Sequence, residues 1–200
     1  MNESINQKII QHKAWLDSLG SIGNRLYIYE IDLSGINLSN KDLTSAILPE
    51  VTLKGANLEN IILNDSNIAS CNFSMANLEN AQAVKATADY AVFNKAKMQN
   101  SNFLRTTFFE SSLISANLTG ANLEKALFSE ANLENAIFLN ANLTNASLNK
   151  CRLSGINLCG AIGIETVSTD WIDIGEGGDS KRLSGKDAIN WLIERAQSFS

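Results

Sequence analysis

One histidine, His12, three cysteines, Cys71, Cys151 and Cys159, and 21 carboxylates against 16 lysines and arginines are the groups in these 200 residues that could do chemistry. A nucleophilic cysteine or serine needs a base beside it. His12 is the sole imidazole, and it shares helical spacing with Ile5, Ile9, Leu16 and Leu19, which reads as packing rather than catalysis. One histidine cannot build a histidine cluster for a metal, and the cysteines lack metal-ligand spacing. Gly175-Glu176-Gly177-Gly178 lacks the flanking strand and basic helix residue of a phosphate loop, so it reads as a turn. The expectation is therefore no enzyme, no cofactor and no metal. Three cysteines fit a reducing compartment better than a disulfide framework. Met1-Asn2-Glu3-Ser4 does not open a basic-then-apolar leader, and no apolar run is long enough to span a bilayer, so a cytoplasmic location is expected.

What positions these groups is a repeat. From Leu26 to Gly160 a five-residue frame runs through 27 units without insertion or deletion. Its centres fall at every fifth position from Ile28 to Leu158 and are almost all Leu, Ile, Met or Phe. Two residues before each centre stands a small or β-branched residue, most often alanine, as at Ala56, Ala76, Ala116, Ala121 and Ala126. Such self-similarity is architecture and takes precedence over any local motif. On an α-helix a step of five advances the side chain by about 500°, so the leucines would wind over every face. In a straight strand five is odd, and successive leucines would alternate sides. The chain must turn once per unit, with the centre and the residue two before it facing inward.

Units such as Ala116-Asn117-Leu118-Thr119-Gly120, Ala121-Asn122-Leu123-Glu124-Lys125 and Ala131-Asn132-Leu133-Glu134-Asn135 resemble the A(D/N)LXX signature of pentapeptide-repeat proteins. The resemblance implies an all-β solenoid: a right-handed quadrilateral β-helix with four units per coil and about seven coils, roughly 32 Å long at the strand spacing. Short capping α-helices are expected at both ends, because a solenoid end is an open apolar edge. The expected organisation is an N-terminal capping helix within 1–25, the β-helix over 26–160, and an irregular segment with an amphipathic helix over 161–200. The first helix should span residues 4–19, with Ser4 as cap and Gly20 as stop, and the second about Gly185 to Ser198, with Ser184 and Asp187 at its start. In this family a C-terminal helix can seal the last coil or make a dimer, and both are left open.

Inside the rod, Ala83 and Ala88 replace two consecutive large centres, a gap that Phe103 or Phe108 one coil along is expected to fill. Outside it, stacked asparagines such as Asn102, Asn122 and Asn142 should bond along the axis. Four-unit coils would stack Lys85, Arg105 and Lys125 into a basic column, with Glu110 and Glu130 as an acidic pair on the next corner. Leu104, Phe109 and Ile114 occupy three successive corners, and the tail is expected to cover part of that belt.

Two non-enzymatic readings follow. One is a protein-binding scaffold or regulatory interaction module, similar to bacterial family members with regulatory roles. Its candidate partner surface is Lys85, Arg105, Lys125, Leu104 and Phe109, and its partner is another protein. The alternative is a DNA mimic that binds gyrase, as in quinolone-resistance members. That reading needs a dominant acidic face and projecting loops, whereas the rod carries twelve acidic and nine basic residues and its frame has no insertion. Direct nucleic-acid binding is disfavoured by a pI near 4.9.

Overall fold

The computed structural model describes residues 4–197; the first three residues and Ser198, the expected end of the second helix, lie outside them. Helix α1, Ile5–Asp17, opens on a capping box in which the Gln7 N–H donates to Ser4 Oγ and the Ser4 N–H to Gln7 Oε1. It ends two residues before the expected Leu19, because Leu19 and Gly20 already take left-handed φ values of 53° and 91°.

From Tyr27 onward the chain forms a ladder of single parallel bridges between residues twenty apart, as Tyr27 to Ile47 and Asn122 to Asn142. Four five-residue units therefore close each coil. Asn122 shows the scheme: its N–H donates to the Ser101 carbonyl (2.8 Å) and the next N–H, of Leu123, to the Asn142 carbonyl (2.8 Å). A reverse turn then closes from the Ala126 N–H to the Leu123 carbonyl at 3.0 Å. The fifth residue of each unit makes the corner with positive φ, and in most units it is not glycine: Lys85, Arg105, Lys125 and Asn145 all lie at 56–59°. The outward asparagines hold this corner. Asn117 and Asn142 each accept, through Oδ1, the N–H two residues on at 3.0 Å, a side-chain turn that prepares the backbone turn. The axial amide ladder is present as well, from Asn102 to Gln82 (3.3 Å), Asn122 to Asn102 (3.1 Å) and Asn142 to Asn122 (3.2 Å).

The core is the column of centres plus the alanines beside them, nearly all fully buried. Ala83 and Ala88 are buried, and the rings around their coil close the gap. Phe93 stacks on Phe73 at 4.8 Å and lies edge-on to Phe108 at 5.8 Å, while Phe108 stacks on Phe128 at 4.7 Å. The expected filling thus draws on Phe93 in addition to Phe103 and Phe108. Inward polar residues are satisfied by carbonyls: Cys71 donates to Leu48, Cys151 to Phe128, Thr106 to Ala83 and Ser111 to Phe108. Burial pushes the Cys71 thiol up to about 12 and raises Cys151 as well. Cys159 stands at a corner and is partly exposed. A thiol-titrating disulfide reagent at pH 8 should therefore modify one cysteine per native chain and three after denaturation. Rapid native modification of all three would contradict this packing.

The five-residue frame ends at Gly160, but the stacking does not. Bridges twenty apart continue to Asn142–Ile162 and then become twenty-one apart, at Ser147–Ser168 and Arg152–Asp173. The extra residue is absorbed in a 3-10 turn, Ile164–Thr166, entered from Gly163 at φ 78°. A Cβ at Gly163 would fall 2.5 Å from the Thr144 backbone. Gly163→Ala should accordingly cost about 2–3 kcal/mol in urea unfolding, a strain effect at a special backbone position. Ile164, Val167 and Ile172 extend the core into this partial coil.

Strand β1, Trp171–Asp173, lies on the rod and pairs antiparallel with β2, Arg182–Ser184. The glycine-rich segment is the link between them, as a turn reading requires. Asp173 accepts the N–H groups of Gly175 (3.0 Å) and Lys181 (2.8 Å) across that link. Helix α2, Gly185–Gln197, follows β2 directly and buries Ala188 and Leu192. Its Ala196 carbonyl accepts from the Gly160 N–H at 2.9 Å, which places it over the last coil.

Candidate partner-binding surface

The residues picked out by the sequence lie on the middle coils. At one corner Lys85, Arg105 and Lys125 are stacked directly: the Lys85 N–H donates to the Leu104 carbonyl and the Arg105 N–H to the Glu124 carbonyl, at 2.9 and 3.0 Å. All three side chains are exposed. They are not equally free. Lys125 pairs with Glu124 at 3.0 Å, while among the described residues Lys85 and Arg105 make no ion pair. An exposed pair of that kind contributes at most about 1 kcal/mol, so Lys125 remains available to a partner.

The chain next runs along one flat face, through Thr87, Thr107 and Leu127, which are bridged to one another across three coils. At the far corner stand Tyr90 and Phe109, with rings in edge contact at 5.5 Å. The face thus has cations along one edge, and along the other Tyr90 and Phe109 beside the corner carboxylates Glu110 and Glu130. Leu127 is 45% and Tyr90 52% exposed. The sequence reading missed both. Each departs from its column, since Leu127 stands where the repeat usually has a polar residue and Tyr90 is an aromatic at a left-handed corner.

Glu110 and Glu130 stand on adjacent coils of the far corner, and Lys150, one coil further in the same column, bonds Glu130 at 3.1 Å. One expectation needs correction: the tail does not supply the cover expected for Leu104, Phe109 and Ile114. Its hydrogen bonds to the rod fall on residues 141–160, about two coils along. The half-burial of these three side chains belongs to their position, since the residue after the centre is half-buried in most units. Phe109 is covered on one side by Tyr90.

Among the described residues no three His, Cys, Asp or Glu side chains are grouped to hold a metal, and no helix is long and apolar enough to cross a membrane.

The profile of pentapeptide repeats matches residues 29–82, 89–124 and 126–162 in eight copies, which covers more than half of the chain. The protein belongs to the pentapeptide-repeat family. Among solved structures it is similar to full-length QnrB1, a plasmid-mediated fluoroquinolone resistance protein. The two share 17% identity at a TM-score of 0.54, over 86% of this chain and 100% of that one. It is also similar to HetL, a pentapeptide-repeat protein involved in heterocyst differentiation regulation from the cyanobacterium Nostoc sp. strain PCC 7120. There the identity is 21% and the TM-score 0.33, over 88% of this chain and 99% of that one. Comparison with curated proteins finds no sequence match. At these identities the likeness to QnrB1 establishes the right-handed β-helix and nothing about a partner.

Proposed function

We propose that this protein is a non-enzymatic scaffold that binds another protein through the face between the Lys85–Arg105–Lys125 corner and the Tyr90–Phe109 corner. The observation that carries this reading is the coincidence, on three bridged coils, of a stacked column of exposed cations with exposed apolar side chains at Tyr90 and Leu127. A rigid β-helix orders little on binding, so the entropic cost falls mainly on the partner. The aromatic edge supplies contact area, and the basic edge selects a partner bearing carboxylates. The experiment is affinity capture from a bacterial lysate with the unaltered chain beside K85E/R105E/K125E, each retained band being identified. A band held by the first and lost by the second supports the reading; equal retention by both overturns the placement.

The gyrase-binding alternative rests on the fold shared with QnrB1. The basic corner and the uninterrupted frame weigh against it, because a DNA mimic needs a continuous acidic surface. Capture of gyrase equally by both chains would favour that alternative.

A further inference from the structure

Helix α1 is fixed to the first coil through His12, which is fully buried although it lies on a surface helix. Its ring stacks on Trp15 at 5.6 Å and 12°, and its Nδ1 accepts the backbone N–H of Leu26 at 3.0 Å. Accepting at Nδ1 fixes the neutral tautomer with the proton on Nε2. Among the described residues that Nε2 is buried and makes no well-formed hydrogen bond. The bond matters because the first unit has no repeat unit before it to supply a turn carbonyl. The corresponding N–H in the next coil, that of Ala46, closes its reverse turn on the Leu43 carbonyl at 3.0 Å, and His12 Nδ1 takes that place for Leu26.

We propose that His12 is a protonation latch: the neutral ring docks α1 on the first coil, and a proton on Nδ1 releases it. The geometry requires this, since a protonated Nδ1 would set one N–H against the Leu26 N–H at bonding distance. The groups facing the ring divide. Burial and the Arg25 charge oppose the cation, while the Asp42 carboxylate and the Thr44 backbone favour it. The Trp15 face favours it too. The balance holds the ring below the ordinary value of 6.5, with burial the largest cause. The sign follows. An exposed histidine takes up its proton more readily than the docked one, so docking is undiminished above pH 6.5 and weakens as pH falls from there. It weakens no further once the docked ring itself is protonated. Release would uncover Ile9, Leu26 and Ile28, which line one apolar cavity together with Ile5 of α1.

The test is nitrogen-15 NMR of the full chain between pH 7.5 and 5, unaltered and as His12→Gln, whose side-chain oxygen can accept from Leu26 without titrating. In the unaltered chain the ring should show an unprotonated Nδ1 at pH 7.5. The α1 and Leu26 amide signals should then move to undocked positions as the pH falls, while signals of residues 60–140 stay fixed. In His12→Gln the α1 signals should hold their positions across the same range. Unmoved α1 signals in the unaltered chain, or the same movement in both chains, would overturn the latch. Should His12→Gln fail to dock at pH 7.5, the ring signals of the unaltered chain decide, and an Nδ1 found protonated there would overturn it.

Discussion

Phe108→Ala should lower the unfolding free energy by about 3–5 kcal/mol, the range for deleting a fully buried phenylalanine. The upper half of that range is expected, for a reason particular to this site. Phe108 stacks on Phe128 at 4.7 Å and touches Phe93 and Phe103 at 5.8 and 5.4 Å, so its removal strips contacts from three rings. The residue below it in the same column, Ala88, is already small. The neighbouring rings are held by their own stacking, and the backbone cannot move inward without breaking bridges to the coils on both sides. A urea unfolding curve checks this, read as a shift in midpoint at unchanged slope. A loss below about 1.5 kcal/mol would show that the coil relaxes and that the aromatic cluster is not what fills the double-alanine gap.

The second large effect concerns binding. K85E/R105E/K125E should weaken partner binding by at least about tenfold, since each reversed charge at an interface edge removes one attraction and adds one repulsion, and about 1.4 kcal/mol suffices for a factor of ten. Folding should be nearly untouched. All three side chains are exposed, and each corner is held by backbone bonds, such as that from the Lys125 N–H to the Thr144 carbonyl, which survive substitution. The one ion pair lost, Lys125 with Glu124, is a surface pair. The binding loss should also shrink as salt is raised, because exposed charges are screened within about 10 Å at 0.1 M.

The parts of the structure legible in the sequence were those written in its period. An odd repeat with an inward pair at fixed spacing forces a turn every five residues, and the leucines and alanines duly line one core. The corner chemistry was harder to read. Lys85, Arg105 and Lys125 look like ordinary surface charges, yet each carries the left-handed corner of its unit, and Asn102 and Asn122, which prepare the Arg105 and Lys125 corners, are legible in the sequence only for their axial ladder. The partial coil beyond Gly160 was hidden by one added residue. It shifts Val167 and Ile172 out of the five-residue frame while leaving them stacked under Ala146 and Cys151. Lys150 was overlooked as the partner of Glu130 because its pairing spans a coil. Tyr90 escaped notice for a related reason: its neighbour Phe109 lies nineteen residues away in sequence and 5.5 Å away in space.

The central claim is that this one face, rather than the charge of the rod at large, binds the partner. The most direct measurement compares the affinity of the captured partner for the unaltered chain, for K85E/R105E/K125E and for K41E/K54E/K97E. The last carries the same change in net charge at exposed lysines on other parts of the rod. The account predicts a loss of tenfold or more for the first triple and less than about threefold for the second. Equal losses in both would contradict it and assign binding to overall charge.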